Sequence, residues 1–120
     1  MLYSIDSLKF ITGNPHQDFF DQCRSKMTDT EYDAIVDELN QRISGDEVHT
    51  SSWMPGSNWA GTAFGPLETA CGGDRDASGR LFGLIVWKVF QERQDTWSFG
   101  RYEMNNLPIK GMTYFRVQVP

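Results

Sequence analysis

The sequence predicts an α+β fold: an N-terminal helix pair and a central buried helix packed on a small antiparallel sheet that includes a C-terminal hairpin. Three observations carry this. Apolar residues recur at helical spacing in two stretches before residue 45. A nearly continuous apolar run, Leu81 to Phe90, is flanked by good helix formers. Two aromatic and β-branched stretches follow residue 96, separated by turn residues. At 120 residues the chain has the size of one ordinary domain, and residues 1–120 are read as one.

The elements are justified in chain order. Leu2, Ile5, Leu8 and Ile11 recur every three residues, but the stretch is too short to separate a strand from a helical lead-in. Asn14-Pro15 is a favourable helix start, with Asn as N-cap and Pro at the first helical position. Phe19, Phe20, Cys23 and Met27 then form one stripe, so the first helix is expected over 15–26. Thr28-Asp29-Thr30-Glu31 is a capping box, in which the Thr hydroxyl and the Glu carboxylate reciprocally bind backbone N–H groups. Tyr32, Ile35, Val36, Leu39 and Ile43 keep the spacing of one helical face, and Ser44-Gly45 supplies the stop. The second helix is therefore placed at 29–43.

From Gly45 to Gly65 the periodicity disappears, apart from a short strand within Glu47–Ser52. A single helical turn or two runs from Leu67 to Cys71 and must end at Gly72-Gly73, whose backbone entropy is too costly inside a helix. Residues 77–93 are read as a helix with Asp76 as N-cap. Being apolar nearly all round, it is expected to be the central, most buried element. The competing reading makes residues 81–90 a strand. Trp97–Met104 and Met112–Val119 read as an antiparallel pair, joined through the turn-rich Asn105–Gly111 segment. A lone hairpin is marginal in water, so a third strand from the N-terminus or from 47–52 is expected.

Composition excludes several functions. The net charge is −5, with −6 on residues 1–50 and +1 on the remainder, which argues against a nucleic-acid partner because phosphate binding needs clustered Lys and Arg. No apolar run approaches the ~20 residues of a membrane span, and the start lacks the features of a secretion signal. The expectation is a cytoplasmic protein without a membrane partner. Two cysteines do not make a disulfide framework, so Cys23 and Cys71 are read as small reduced thiols, a bridge between them being the lesser reading.

Motifs for chemistry are weak. Asp74-Arg75-Asp76-Ala77-Ser78-Gly79 resembles the opening of an EF-hand calcium loop, but Ile85 stands where the bidentate Glu belongs, and Arg75 and Arg80 add positive charge. It is read as a helix start. His16 and His49 are the only histidines, and neither has a second ligand at metal spacing, so no metal and no cofactor are expected. Cys71 falls at the wrong end of its helix to be an activated nucleophile.

The candidate site is Trp53-Met54-Pro55-Gly56-Ser57-Asn58-Trp59-Ala60-Gly61-Thr62. Its Pro, Gly, Ser and Asn forbid a regular helix or strand, yet it carries two indoles. Flat faces at Trp53 and Trp59, with directional polar groups at Ser57, Asn58 and Thr62 and a carboxylate at Glu68, are the mixture that ligand pockets use. The sequence therefore points to a non-catalytic protein that binds a small molecule or a protein partner through this loop, and homo-oligomer formation through the hairpin or the acidic helices is compatible with it. The structural account of the same residues is a long loop held down by its own Trp side chains. The alternative function is a small cofactor-free enzyme with Glu68 or His49 as general base; no catalytic residue is otherwise assigned.

Overall fold

The structure is a computed structural model and describes residues 1–49, 62–100, 103–104, 107–108 and 113–118. Its backbone divides into two compact units, one of Asn14–Arg42 with Pro55–Val89, the other of Met1–Gly13, Ile43–Met54 and Phe90–Pro120. Helices make the first unit and a sheet organises the second, in keeping with the α+β class.

In the helical unit, α1 spans Gln17–Arg24 and buries Phe20 and Cys23, with Met27 just beyond it also buried. It starts two residues later than the sequence suggests. His16 is the N-cap, in the left-handed region at φ 51°, and Asn14 Oδ1 accepts no hydrogen bond from the described residues. A left-handed residue cannot sit inside a right-handed helix, so the helix begins after it. The turn into α2 (Asp29–Arg42) is braced by the capping box read from the sequence: Thr28 N–H donates to Glu31 Oε1 at 2.9 Å and Glu31 N–H donates to Thr28 Oγ1 at 3.1 Å. Arg24 joins the two helices by donating to Met27 O and to the Asp29 carboxylate, and its guanidinium lies over the Tyr32 ring at 4.4 Å. Ile35 and Leu39 are the buried stripe of α2.

α3 spans Gly65–Ala70 and α4 Arg75–Glu92. The helical reading of residues 81–90 is correct and the strand reading is excluded. Within α4 the buried side chains are Ser78, Leu81, Phe82, Ile85, Val86, Val89 and Phe90, which is one stripe at i, i+3, i+4, i+7, i+8, i+11 and i+12. The expectation of burial nearly all round is corrected: Gly83 is exposed, and Leu84, Trp87 and Lys88 are half-buried. Composition misled because Gly and Trp count as apolar yet need not face inward. The N-cap is also moved from Asp76 to Asp74, whose Oδ1 accepts the Ala77 N–H at 3.1 Å.

The second unit holds β1 (Leu2–Ser4), β2 (Lys9–Ile11), β3 (Glu47–His49), β4 (Trp97–Gly100) and β7 (Thr113–Arg116) in one sheet of order β2-β1-β4-β7-β3. The expected C-terminal antiparallel pair is present as β4·β7, in register from Trp97↔Arg116 to Gly100↔Thr113. Both suggested additional strands join it: β3 pairs antiparallel with β7, and the N-terminal β1·β2 hairpin enters through Leu2↔Trp97. That last contact is parallel, so the sheet is mixed rather than purely antiparallel. The expected long strand Trp97–Met104 is split, because Glu103–Met104 (β5) leaves the main sheet to pair with Leu107–Pro108 (β6). A two-residue connection favours a local hairpin over continuation.

The core of this unit is aromatic. Phe90 stacks on Tyr114 with ring centroids 3.9 Å apart and planes 10° from parallel, and meets Trp97 edge-on at 5.1 Å. Gln91 Nε2 donates to the carbonyls of Ile11 and Gly13, and the Met1 ammonium donates to the carbonyls of Phe90, Arg93 and Asp95. Arg93 Nε and Nη2 clamp the two Asp95 oxygens at 2.9 Å each. The Arg93 guanidinium holds the Asp95 carboxyl below the usual carboxylate range, with partial burial opposing it. A lowered folded-state pKa contributes stability above the unfolded value of about 4, and that stability is lost as the pH falls through the lowered one. Asp95→Asn is expected to be less stable than the parent at neutral pH, and the two urea midpoints should converge in acid.

The β1·β2 connection shows a local cost. Leu8 has φ 55° and its side chain is 71% exposed, so an apolar residue sits in the left-handed region without a buried contact to compensate. Leu8→Gly should raise stability by about 1 kcal/mol, read as a higher urea midpoint at unchanged slope.

Candidate functional site

Trp53, Ser57, Asn58 and Trp59 lie outside the described residues. The structure describes the two stems between which they run. On the upstream side, β3 ends at His49, in a three-residue register with β7 that pairs Glu47↔Phe115, Val48↔Tyr114 and His49↔Thr113. Val48 is buried there.

The downstream stem begins at Thr62. Thr62 Oγ1 accepts the Phe64 N–H at 3.2 Å, and Thr62 O accepts the Gly65 N–H at 3.1 Å, a turn that a Thr hydroxyl stabilises by imitating a backbone carbonyl. Phe64 then closes the stem. It is buried, meets Phe82 edge-to-face at 5.3 Å and 89°, and carries the Arg42 guanidinium 5.0 Å from its ring centre. Pro66 in the first turn pre-sets the helical φ of α3, and Leu67 and Ala70 anchor its inner face.

Glu68 lies in the first turn of α3 and is half-buried, the end of a helix where a carboxylate is favoured. Of the sequence-derived candidates, Thr62 and Glu68 therefore belong to one short structural piece. His49 belongs to the β3 stem in the other unit.

The end of α3 is a Schellman motif: Gly73 N–H donates to Glu68 O at 2.8 Å and Gly72 N–H to Thr69 O at 3.1 Å, with Gly72 at φ 65° and Gly73 at φ 83°. The glycines stop the helix as expected, and the decisive property is the left-handed backbone that they tolerate. The C-cap residue is Cys71. Burial, then the neighbouring Cys23, push its thiol up to about 11, with the Ser78 hydroxyl acting weakly in the opposite sense and Asp74 reinforcing the rise. At neutral pH it is a protonated thiol, in accord with its place at the wrong end of a helix for activation.

The Asp74–Gly79 stretch acts as a helix start. Asp74 uses its carboxylate on Ala77 N–H, and its backbone carbonyl accepts both the Ser78 N–H at 2.9 Å and the Ser78 hydroxyl at 2.7 Å. Among the described residues no group of three or more His, Cys, Asp and Glu side chains is placed to hold a metal ion. A small cleft lined by Asn14, Pro15, Phe20, Leu84 and Lys88 has a volume of about 10 Å³, room for a single water at most.

One feature was unforeseen, and one was given only as the lesser reading. Phe64 is the clasp of the downstream stem, and the signal available was only an apolar residue before Gly-Pro. The close approach of Cys23 to Cys71, with Sγ atoms 3.9 Å apart, joins positions 48 residues apart. Among the described residues no helix is long and apolar enough to cross a membrane. No protein-family model, no curated protein and no solved structure matches this chain.

Proposed function

We propose that the protein is a non-catalytic binding module whose Trp53–Thr62 segment, with Glu68 beside its downstream end, receives a small molecule or a short stretch of a protein partner. The reading rests on one observation: an indole-bearing, Pro- and Gly-shaped segment is spliced between two anchored stems, β3 at one end and the Thr62–Phe64 turn at the other. Rigid stems carrying irregular aromatic loops are how binding proteins present contact surface at low entropic cost. In this reading Trp53 and Trp59 supply stacking area, and Ser57, Asn58, Thr62 and Glu68 supply direction.

A neutral-aromatic fragment library screened by indole emission tests this. The expected result is that some fragments shift the emission of the parent and leave a folded Trp53→Phe/Trp59→Phe double variant silent. The reading fails if no fragment shifts the parent, or if the double variant responds equally, through the remaining Trp87 and Trp97. A double variant that loses its cooperative melt assigns the indoles to holding the loop down and also ends the proposal.

A further inference from the structure

Two thiols meet in the helical unit without a bond between them. Cys23 lies on the buried stripe of α1 and Cys71 caps the end of α3, and their Sγ atoms are 3.9 Å apart, with both cysteines free. A disulfide needs about 2 Å, so closure requires a shift that side-chain rotation and a small backbone adjustment can supply. Gly72 and Gly73 follow Cys71 at once, and among the described residues nothing lies within 4 Å of where a side chain on either would begin, so the turn after Cys71 is not packed against on that side. The two thiols are not equivalent. Cys23 is buried and Cys71 is half-buried, so a reagent from solvent reaches Cys71 first.

We propose that Cys71 and Cys23 form a redox modification site that takes a low-molecular-weight disulfide and closes into an intrachain bridge. Cys71, after losing its proton to water, attacks one sulfur of the small disulfide. A Cys71 mixed disulfide forms, and the first small thiolate leaves and takes up the released proton. Cys23, likewise deprotonated, then attacks Cys71 Sγ and displaces the second small thiolate, which takes up a proton. Two protein thiols are oxidised, one small disulfide is reduced to two small thiols, and no other oxidant is required. Burial and the flanking Cys23 and Asp74 keep the thiolate scarce at neutral pH, so the site responds slowly and resists brief exposure. Closing a loop between residues 48 apart should raise the folded-to-unfolded ratio by roughly two to three powers of ten, and the melting temperature by roughly 10 °C.

The test uses the full chain with oxidised glutathione as the probe, quenched by alkylation and read by mass spectrometry after trypsin. The expected product has lost the mass of two hydrogens and links peptide 10–24 to peptide 43–75. Its rate of formation should climb about tenfold per pH unit on the alkaline side of neutrality, following the thiolate. Cys23→Ser should trap glutathione on Cys71, whereas Cys71→Ser should take up almost none. In urea the same mixture should leave a larger share of the protein as mixed disulfides, because only the folded chain holds the second thiol in place to displace the glutathione. The proposal is overturned if the folded parent stops at a mixed disulfide, if Cys71→Ser is labelled as fast as Cys23→Ser, or if the bridged share of the product is no larger in the folded chain than in urea. Should either variant fail to fold, the parent's cross-linked peptide and its urea dependence decide the matter alone.

Discussion

Replacing Phe90 by Ala is expected to lower the stability of the protein by about 4 kcal/mol, the largest loss of any single truncation considered. Phe90 is fully buried, stacks on Tyr114 with centroids 3.9 Å apart and meets Trp97 in a T-shaped contact with centroids 5.1 Å apart, so its removal strips a ring contact from each of two other buried aromatics. The loss combines the transfer free energy of the ring, the cavity left behind and the two ring-pair contacts, each worth about 1 kcal/mol beyond area. Against a typical total of 5–15 kcal/mol this is a large fraction. Urea denaturation followed by far-ultraviolet circular dichroism measures it. Phe90→Leu, which keeps most of the volume, should cost less than half as much. A loss below about 1 kcal/mol for Phe90→Ala would mean that Tyr114 and Trp97 pack adequately without their partner, contrary to the geometry.

The second large effect is expected at Phe64, where Ala should cost about 3 kcal/mol. Here the consequence is local as well as global. Phe64 touches Phe82, lies under the Arg42 guanidinium and accepts the Leu67 N–H on its carbonyl at 3.0 Å, so it joins the Thr62 turn to the first turn of α3. Without the ring, α3 is a six-residue helix, far below the length at which helices are stable in isolation. Native-state hydrogen exchange should show the Cys71 amide, bonded to Leu67 O, losing protection in Phe64→Ala, while the capping-box amides of Thr28 and Glu31 keep theirs. Arg42→Ala should cost less than about 1 kcal/mol, the range of a partly exposed cation–π pair. If α3 protection is unchanged, Phe64 is not the clasp, and the support it lends to a rigidly carried binding segment falls with it.

Legibility in the sequence followed the range of the interaction concerned. The capping box at Thr28–Glu31 and the glycine stop after α3 were readable because each is made by residues at most five apart. The start of α1 was not, because the left-handed His16 is a conformational choice that the favourable Asn14-Pro15 pair concealed. The N-cap of α4 moved by two residues for a simpler reason: Asp74 and Asp76 are both competent caps, and only the path of the backbone out of the Gly72-Gly73 turn selects between them. The splitting of the expected Trp97–Met104 strand depended on β5 finding a nearer partner in β6.

For the candidate site the division is sharper. Trp53 and Trp59 could be singled out from composition alone, since large aromatics amid Pro and Gly are a local anomaly. That Thr62 and Phe64 fasten the downstream end of their segment could not, because it depends on Phe82 and Arg42, which lie 18 and 22 residues away along the chain.

By itself, the order of amino acids determined the presence and order of the helices, the capped start of α2 and the antiparallel pairing near the C-terminus, because periodicity and capping act within a turn or two of backbone. Only the tertiary structure decided that the N-terminal residues add to the sheet in parallel through Leu2 and Trp97, that Phe90, Trp97 and Tyr114 share a core, and that Cys23 and Cys71 stand within 3.9 Å. Those outcomes join residues tens of positions apart. No local preference encodes them, and they follow from how buried faces fit together once the chain is collapsed.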